Sequence, residues 1–219
     1  NAVPLHNRPR LRAGAGIVHV ASPGIVSDRS TSTEIVRRAL PALGWSHEVL
    51  DDLSRFKAIV IGPGLGRDEG TVSEARRIIA GAHIPMVIDG DGLFAVAWGG
   101  EGARDIVRSR AAGTVLTPHD GEFTTLLGYA PSHDRITSAR RLASDTNCVC
   151  LLKGTTTVVA EPSGEVLMVA NGDQRLATAG TGDVLAGIIG ALLAQGVEPF
   201  HAAASGAWIH GYAASLFTA

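Results

Sequence analysis

Hydrophobic and polar positions follow two rhythms along this chain: short runs that are apolar at every position, and longer segments that are apolar on one face. GIVHVA at 16–21 predicts a strand. In the segment after it, Ile35, Val36, Ala39 and Leu40 share a helical face, which predicts a helix. The pair then recurs: KAIVIG ending at Gly62 reads as strand, EARRIIAGA as helix, PMVIDG as strand, GLFAVAW as a short helix and TVLT as strand. Farther on, DRITSARRLASDT predicts a helix and VCLLKG a strand, while TTVVAEPSGEVLMVAN predicts a hairpin turning at Pro162, Ser163 and Gly164. AIVI and MVI are apolar at both alternate positions, as parallel strands covered by helices on both faces require. The pattern therefore predicts an α/β fold with a mostly parallel sheet and an antiparallel edge hairpin. Residues 1–10, NAVPLHNRPR, carry Pro4 and Pro9 without a helical period and read as an irregular lead-in.

One stretch breaks the amphipathic rule. In LATAGTGDVLAGIIGALLAQG, residues 176–196, Val184, Leu185, Ile188, Ile189, Leu192 and Leu193 leave no polar stripe, so the helix belongs in a core. Its wet part is the N-terminus, Gly180, Thr181, Gly182 and Asp183. A helix start presents unpaired N–H groups and partial positive charge, and glycines let an anion such as phosphate approach the backbone. The same field favours an ionised Asp183, which can accept a proton or simply cap the helix.

Composition narrows the classes. With 219 residues, 45% hydrophobic and 18% charged, the chain suits one core, and a single domain over 1–219 is expected. Nineteen basic against twenty-one acidic residues give a net charge of −2 without a basic run, which argues against nucleic-acid and membrane partners and for a small ligand. Cys148 and Cys150, two apart on a predicted strand, share a face and read as buried thiols rather than metal ligands. No leader or long apolar span is legible, so a cytoplasmic location is expected. His201 and His210 interrupt a small-residue helix near the end and read as structural, and no metal-ligand set is predicted.

In open α/β sheets the ligand crevice lies beyond the carboxyl ends of the strands. Here those ends are followed by Gly62 to Asp68, by Asp89, Gly90 and Asp91, by Thr117 to Glu122, by Lys153 to Thr157, and by Asn171 and Gly172. GPGLGR lacks the dinucleotide-binding spacing, and no P-loop is present.

GPGLGRD, VIDGDGL, LTPHDGE, LLKGTTTVV and the 176–196 run, in this order, resemble the ADP- or ATP-dependent NAD(P)H-hydrate dehydratases over about residues 11–216. The resemblance implies a ribokinase-like fold and a carbon–oxygen lyase that returns hydrated NADH or NADPH to the working cofactor, with ADP or ATP as co-substrate and Mg²⁺. It implies Asp183 as the catalytic carboxylate and a substrate contact, with Gly66 and His119 as further substrate contacts. Gly182 would touch the nucleotide phosphates, and Lys153, Gly154, Thr155, Thr156 and Thr157 would bind its AMP portion. Ala2 aligns with another substrate contact. The family pattern also implies a homo-oligomer, a tetramer in many relatives. The chain departs from it at Gly90 for alanine, Asp120 for proline and Ala179 for glycine, and it opens without the first strand and glycine-rich loop of that pattern. A positive φ at 179 would be costly for alanine. Two other readings share these residues: a small-molecule kinase of thiazole or pyridoxal type, and a non-catalytic nucleotide-binding relative.

Overall fold

A computed structural model describes residues 13–24, 35–98 and 104–216; the lead-in at 1–10 lies outside them. Two strands come first, β1 (Val18–Pro23) and β2 (Ile35–Leu40), paired in parallel from Val18↔Ile35 to Pro23↔Leu40. The helix expected over 35–40 is thus a strand. Its apparent helical face is not a buried face: Ile35 and Leu40 are buried whereas Val36 is exposed. Two β-branched residues at its start suit a pleat, and pairing with β1 supplies partners for the backbone.

Helix α1 (Trp45–Asp51) and a 3₁₀ turn at Leu53–Arg55 follow. Then come β3 (Ile59–Ile61), α2 (Glu69–Gly81), β4 (Met86–Ile88), α3 (Asp91–Ala97), α4 (Asp105–Arg108) and β5 (Thr114–Leu116). The chain continues through α5 (Asp120–Leu127), α6 (Arg135–Thr146), β6 (Val149–Leu152), β7 (Thr157–Ala160), β8 (Val166–Val169), α7 (Thr181–Ala194) and α8 (Pro199–Ser215). Strands β3 to β8 form a six-stranded sheet in sequence order. The pairs from β3 to β6 are parallel, and β7 and β8 add the antiparallel edge expected from the hairpin.

The uniformly apolar strands separate two cores. Ile61, Met86, Ile88, Leu116, Cys150 and Leu152 pack with residues of α1, α2, α3, α5 and α6. Their neighbours Val87, Val115, Val149 and Leu151 face the opposite way, onto α7 and α8. Each face is closed by helices, so no polar alternation is needed along the strands. Leu185, Ile188, Ile189 and Leu193 of α7 are buried, each worth roughly 1.5–3 kcal/mol on removal from water. Close approach by α7 depends on small residues: a Cβ on Gly190 would lie 2.4 Å from Val60 Cγ2, and one on Gly206 of α8 2.6 Å from Ile189 Cγ1.

Cys148 and Cys150 are free thiols in one core, as their spacing implies, although Cys148 precedes β6 rather than lying in it. Burial pushes the Cys148 thiol up to about 12 and Cys150 higher still, so neither is a ready nucleophile. Among the described residues no helix is long and apolar enough to cross a membrane. Consecutive residues of β1 and β3 line a cavity of about 450 Å³ that also touches Gly62 to Leu65.

At the end of β3 the chain turns within contact of the end of β4. Gly62 has φ 119°, and a Cβ there would sit 1.8 Å from the Asp89 carbonyl oxygen and 2.5 Å from the Gly92 nitrogen. Both obstacles are backbone. Gly62→Ala is expected to cost on the order of 3 kcal/mol through combined strain and overpacking, read as a lowered urea midpoint at unchanged slope. A parental midpoint would show that these strand ends are not held together.

Candidate active site

Because β3 to β6 are parallel, their carboxyl ends lie along one edge of the sheet, and the start of β7 and the end of β8 reach the same edge. All the polar strand ends read from the sequence therefore converge there. Their centre is Asp89, one residue past an apolar triplet and only 2% exposed. Thr117 Oγ1 donates to Asp89 Oδ1 at 2.8 Å, and Lys153 Nζ donates to the same oxygen at 2.9 Å. Lys153 Nζ also stands 3.4 Å from Glu122 Oε2. A buried carboxylate without a cation would be costly, and this lysine supplies one from two strands away.

Burial disfavours charge on Lys153, but Asp89 and Glu122 outweigh it and hold the ammonium above its ordinary range. Half-buried His210, on α8, is pushed the other way by burial and by the Lys153 charge. This histidine, read as structural, thus borders the cluster, whereas His201 is exposed.

His119 opens α5 as its N-cap. Its Nδ1 accepts from the Gly121 and Glu122 amides at 3.0 and 3.2 Å, while Glu122 Oε2 accepts from the His119 amide at 2.9 Å. This reciprocal cap leaves the hydrogen of the neutral ring on Nε2, 3.6 Å from Glu122 Oε1. Glu122 thereby joins the His119 turn to Lys153. Gly66 is held by another carboxylate: its amide donates to Asp91 Oδ2 at 2.9 Å, and Arg67 Nε donates to Asp91 Oδ1 at 2.6 Å.

Helix α7 delivers the glycine turn. Gly180, φ 90°, is its N-cap, so Asp183 is the third helical residue rather than the cap. Among the described residues Asn147 is the one non-glycine with positive φ, so the conformation feared for Ala179 falls instead on Gly180. Thr181 Oγ1 donates to the carbonyls of Leu176 and Thr178 at 2.5 and 2.8 Å and closes the turn. A Cβ on Gly182 would lie 3.5 Å from Lys153 Nζ and 3.7 Å from Asp89 Oδ2. The first turn of α7 therefore abuts the acid–lysine cluster.

Of the residues singled out in the sequence, Gly182 and Lys153 come together, and His119 joins them through Glu122. Lys153 does so with its ammonium turned onto two acids. Gly154 and Thr155 are exposed and Thr156 and Thr157 half-buried on the run into β7, where Thr155 meets Gly172: a Cβ there would be 2.8 Å from the Thr155 carbonyl oxygen. Ala2 lies outside the described residues. Asp89, Glu122 and Thr117 were visible as strand-end residues but not singled out. The signal for Asp89 was an acid directly after three fully apolar residues, a position that only a buried partner makes tolerable.

The chain is similar to known proteins over most of its length. Residues 7–219 match the model of a family described as NAD(P)H-hydrate dehydratase. The chain is 38% identical over 226 residues to a bifunctional NAD(P)H-hydrate repair enzyme Nnr of Moorella thermoacetica, covering 97% of this chain and 42% of that protein. It is 44% identical over 194 residues to an enzyme of the same name from Mycobacterium tuberculosis, covering 89% and 38%. The chain thus spans about two fifths of the length of the curated relatives it matches. Among solved structures, the ADP/ATP-dependent NAD(P)H-hydrate dehydratase of Bacillus subtilis co-crystallised with ATP/Mg²⁺ superposes with a TM-score of 0.79 at 27% identity, over 98% of this chain and 75% of that one. A ribokinase-like superfamily protein of Enterococcus faecalis gives 0.80 at 24% over 96% and 72%, a likeness of fold.

The Lys153 pairing has a measurable sign. With its folded value raised, its contribution to stability is complete below the unfolded lysine value of about 10.4 and is lost as pH rises through the folded value. Lys153→Met, which strands buried Asp89, is expected to lose roughly 3–5 kcal/mol at neutral pH. It should also flatten the fall in stability above about pH 10 seen in the parent. Denaturation curves from pH 7 to 11 check both; parallel alkaline arms would remove the pairing from the stability of the fold.

Proposed function

The chain belongs to the NAD(P)H-hydrate dehydratase family, and on that premise we propose that it converts hydrated NADH or NADPH to the reduced dinucleotide, with ADP or ATP as phosphoryl donor. The observation that carries this reading is the seating of the α7 glycine turn on the strand ends, with Gly182 beside Lys153 and Asp89. Phosphates at that turn would meet open backbone amides, partial positive charge and a nearby lysine. Asp183, on the same first turn, takes the proton of the ring hydroxyl. The oxygen attacks the terminal phosphoryl group, and AMP or ADP leaves. The ring nitrogen's lone pair then expels phosphate, and loss of a proton from the neighbouring ring carbon restores the double bond.

In this reading Gly66 and His119 hold the hydrate, while Gly182 and Lys153 to Thr157 hold the nucleotide. Among the described residues no three His, Cys, Asp or Glu side chains are grouped to hold a metal. In this reading Mg²⁺ is carried chiefly by the substrate phosphates, where it would offset their charge. The same reading takes 1–219 as one domain, since two apolar layers share one sheet, places it in the cytoplasm and gives it a homotetrameric assembly. Exposed Trp208 and Tyr212, stacked at 5.1 Å on α8, with exposed Leu167 and Met168 on edge strand β8, support self-association.

The test is incubation with hydrated NADH or NADPH, Mg²⁺ and either nucleotide, following recovery of reduced-nicotinamide absorbance. No recovery with either nucleotide would sink the reading, and a phosphorylated alcohol product would favour a kinase. Asp183→Asn keeps the size of the side chain and removes its basicity. It is expected to lower turnover by about 10²- to 10⁴-fold at an unchanged thermal midpoint with ligand binding retained. Turnover within about threefold of the parent would take Asp183 out of the proton transfer.

A further inference from the structure

Residues 153–156 leave β6 before β7 begins, so their backbone groups lie outside the sheet ladder. The Lys153 peptide is nevertheless gripped at both ends: its N–H donates to the Pro118 carbonyl at 2.9 Å, and its carbonyl accepts from Arg135 Nη2 at 2.7 Å. Arg135 is the first residue of α6. Its Nη1 donates to Asp120 Oδ1 and Oδ2 at 2.9 and 3.2 Å. The guanidinium lies close over Gly154, where a Cβ would stand 3.0 Å from Nη2 and 3.2 Å from Cζ. A side chain at 154 would make the guanidinium give slightly. The Arg135 side chain is 26% exposed, and its buried Nε has no hydrogen-bond partner among the described residues. The side chain is therefore held through its two terminal nitrogens.

We infer that Arg135 is a positioning residue for the 153–157 run, fixing the Lys153 carbonyl and Gly154 in the conformation that receives the nucleotide, with Asp120 as its anchor; this rests on the nucleotide-binding reading of that run. Asp120 directly follows His119, so the anchor ties the run to the turn assigned to the hydrate. Asp120 also stands where the family pattern has proline, which offers no carboxylate to an arginine. The anchor is thus a feature of this chain, and its contribution is the smaller one because Asp120 is 60% exposed.

The intact protein, free and with ADP or ATP, is compared with Arg135→Gln, Arg135→Lys, Asp120→Asn and Gly154→Ala. In Arg135→Gln, losing one charge-assisted bond to a carbonyl should raise the nucleotide KM about tenfold. The hydrate KM should stay within about twofold, because His119 keeps its own cap. Arg135→Lys restores part of the loss, Asp120→Asn costs about twofold, and Gly154→Ala, which makes the guanidinium give by only a small shift, speeds exchange less than Arg135→Gln does. Amide exchange at residues 154–157 of the free protein reads the positioning without turnover and should be about tenfold faster in Arg135→Gln. Unchanged exchange there would overturn the inference, as would an equal rise in both KM values. If Arg135→Gln does not fold, parental exchange and nucleotide affinity in both Arg135→Lys and Asp120→Asn overturn it in the same way. A parent that neither binds nor uses ADP or ATP would instead remove the nucleotide reading, with the exchange result still deciding whether Arg135 orders the run.

Discussion

The ion pair between Asp89 and Lys153 is the interaction on which the candidate site edge depends. It places a fully buried carboxylate at the end of one strand and its cation at the end of another, with Thr117 between them donating to the same oxygen. Breaking it by removing one partner would leave an uncompensated charge inside the protein, a cost that holds the three strand ends together. Glu122 extends the link to the cap of α5, and so to His119. Four of the five polar turns read from the chain are thus joined in space, by Asp91, Asp89, Glu122 and Lys153, and the Asn171–Gly172 turn packs against Thr155 beside them.

A second constraint is closeness. Helix α7 reaches the strand ends because Gly190 sits against Val60 and Gly206 lets α8 come down on Ile189. Larger residues at either place would lift the helix and carry its first turn away from Lys153. Core packing thus sets the position of the glycine turn, and the turn sets where a phosphate could lie. The positive φ required there falls on Gly180, which leaves Ala179 unstrained and removes a conflict between this chain and its family pattern.

The same edge separates two kinds of residue. Asp89 Oδ1, Thr117 Oγ1, Glu122 Oε2 and the Lys153 ammonium are engaged with protein partners. Gly66, Gly154, Thr155 and His119 are exposed around them. A floor whose charged groups are held by one another, with exposed backbone above it, offers a ligand rich in phosphate fixed donors that do not rearrange when it arrives. Arg135 holds the Lys153 carbonyl, at the start of a segment that lies outside the sheet ladder.

Much of this was determined by the sequence alone. Apolar triplets such as Met86–Ile88 dictate strands buried on both faces, and the wholly apolar 184–193 stretch dictates a core helix, because burial acts on residue type and period whatever the partner. The convergence of the strand ends follows from parallel topology, and the motifs carry the family. Other features only the tertiary structure decided. Residues 35–40 satisfy a helical face and a strand equally well, and pairing with β1 selects the strand, since backbone partners lie on another segment. The N-cap of α7 is Gly180 and not Asp183, a matter of where the chain enters the helix. Lys153, expected from the resemblance to bind nucleotide, has its ammonium on Asp89 and Glu122. No local pattern encodes that choice, because a charge finds its partner by distance in space, and sixty-four positions of chain separate Lys153 from Asp89.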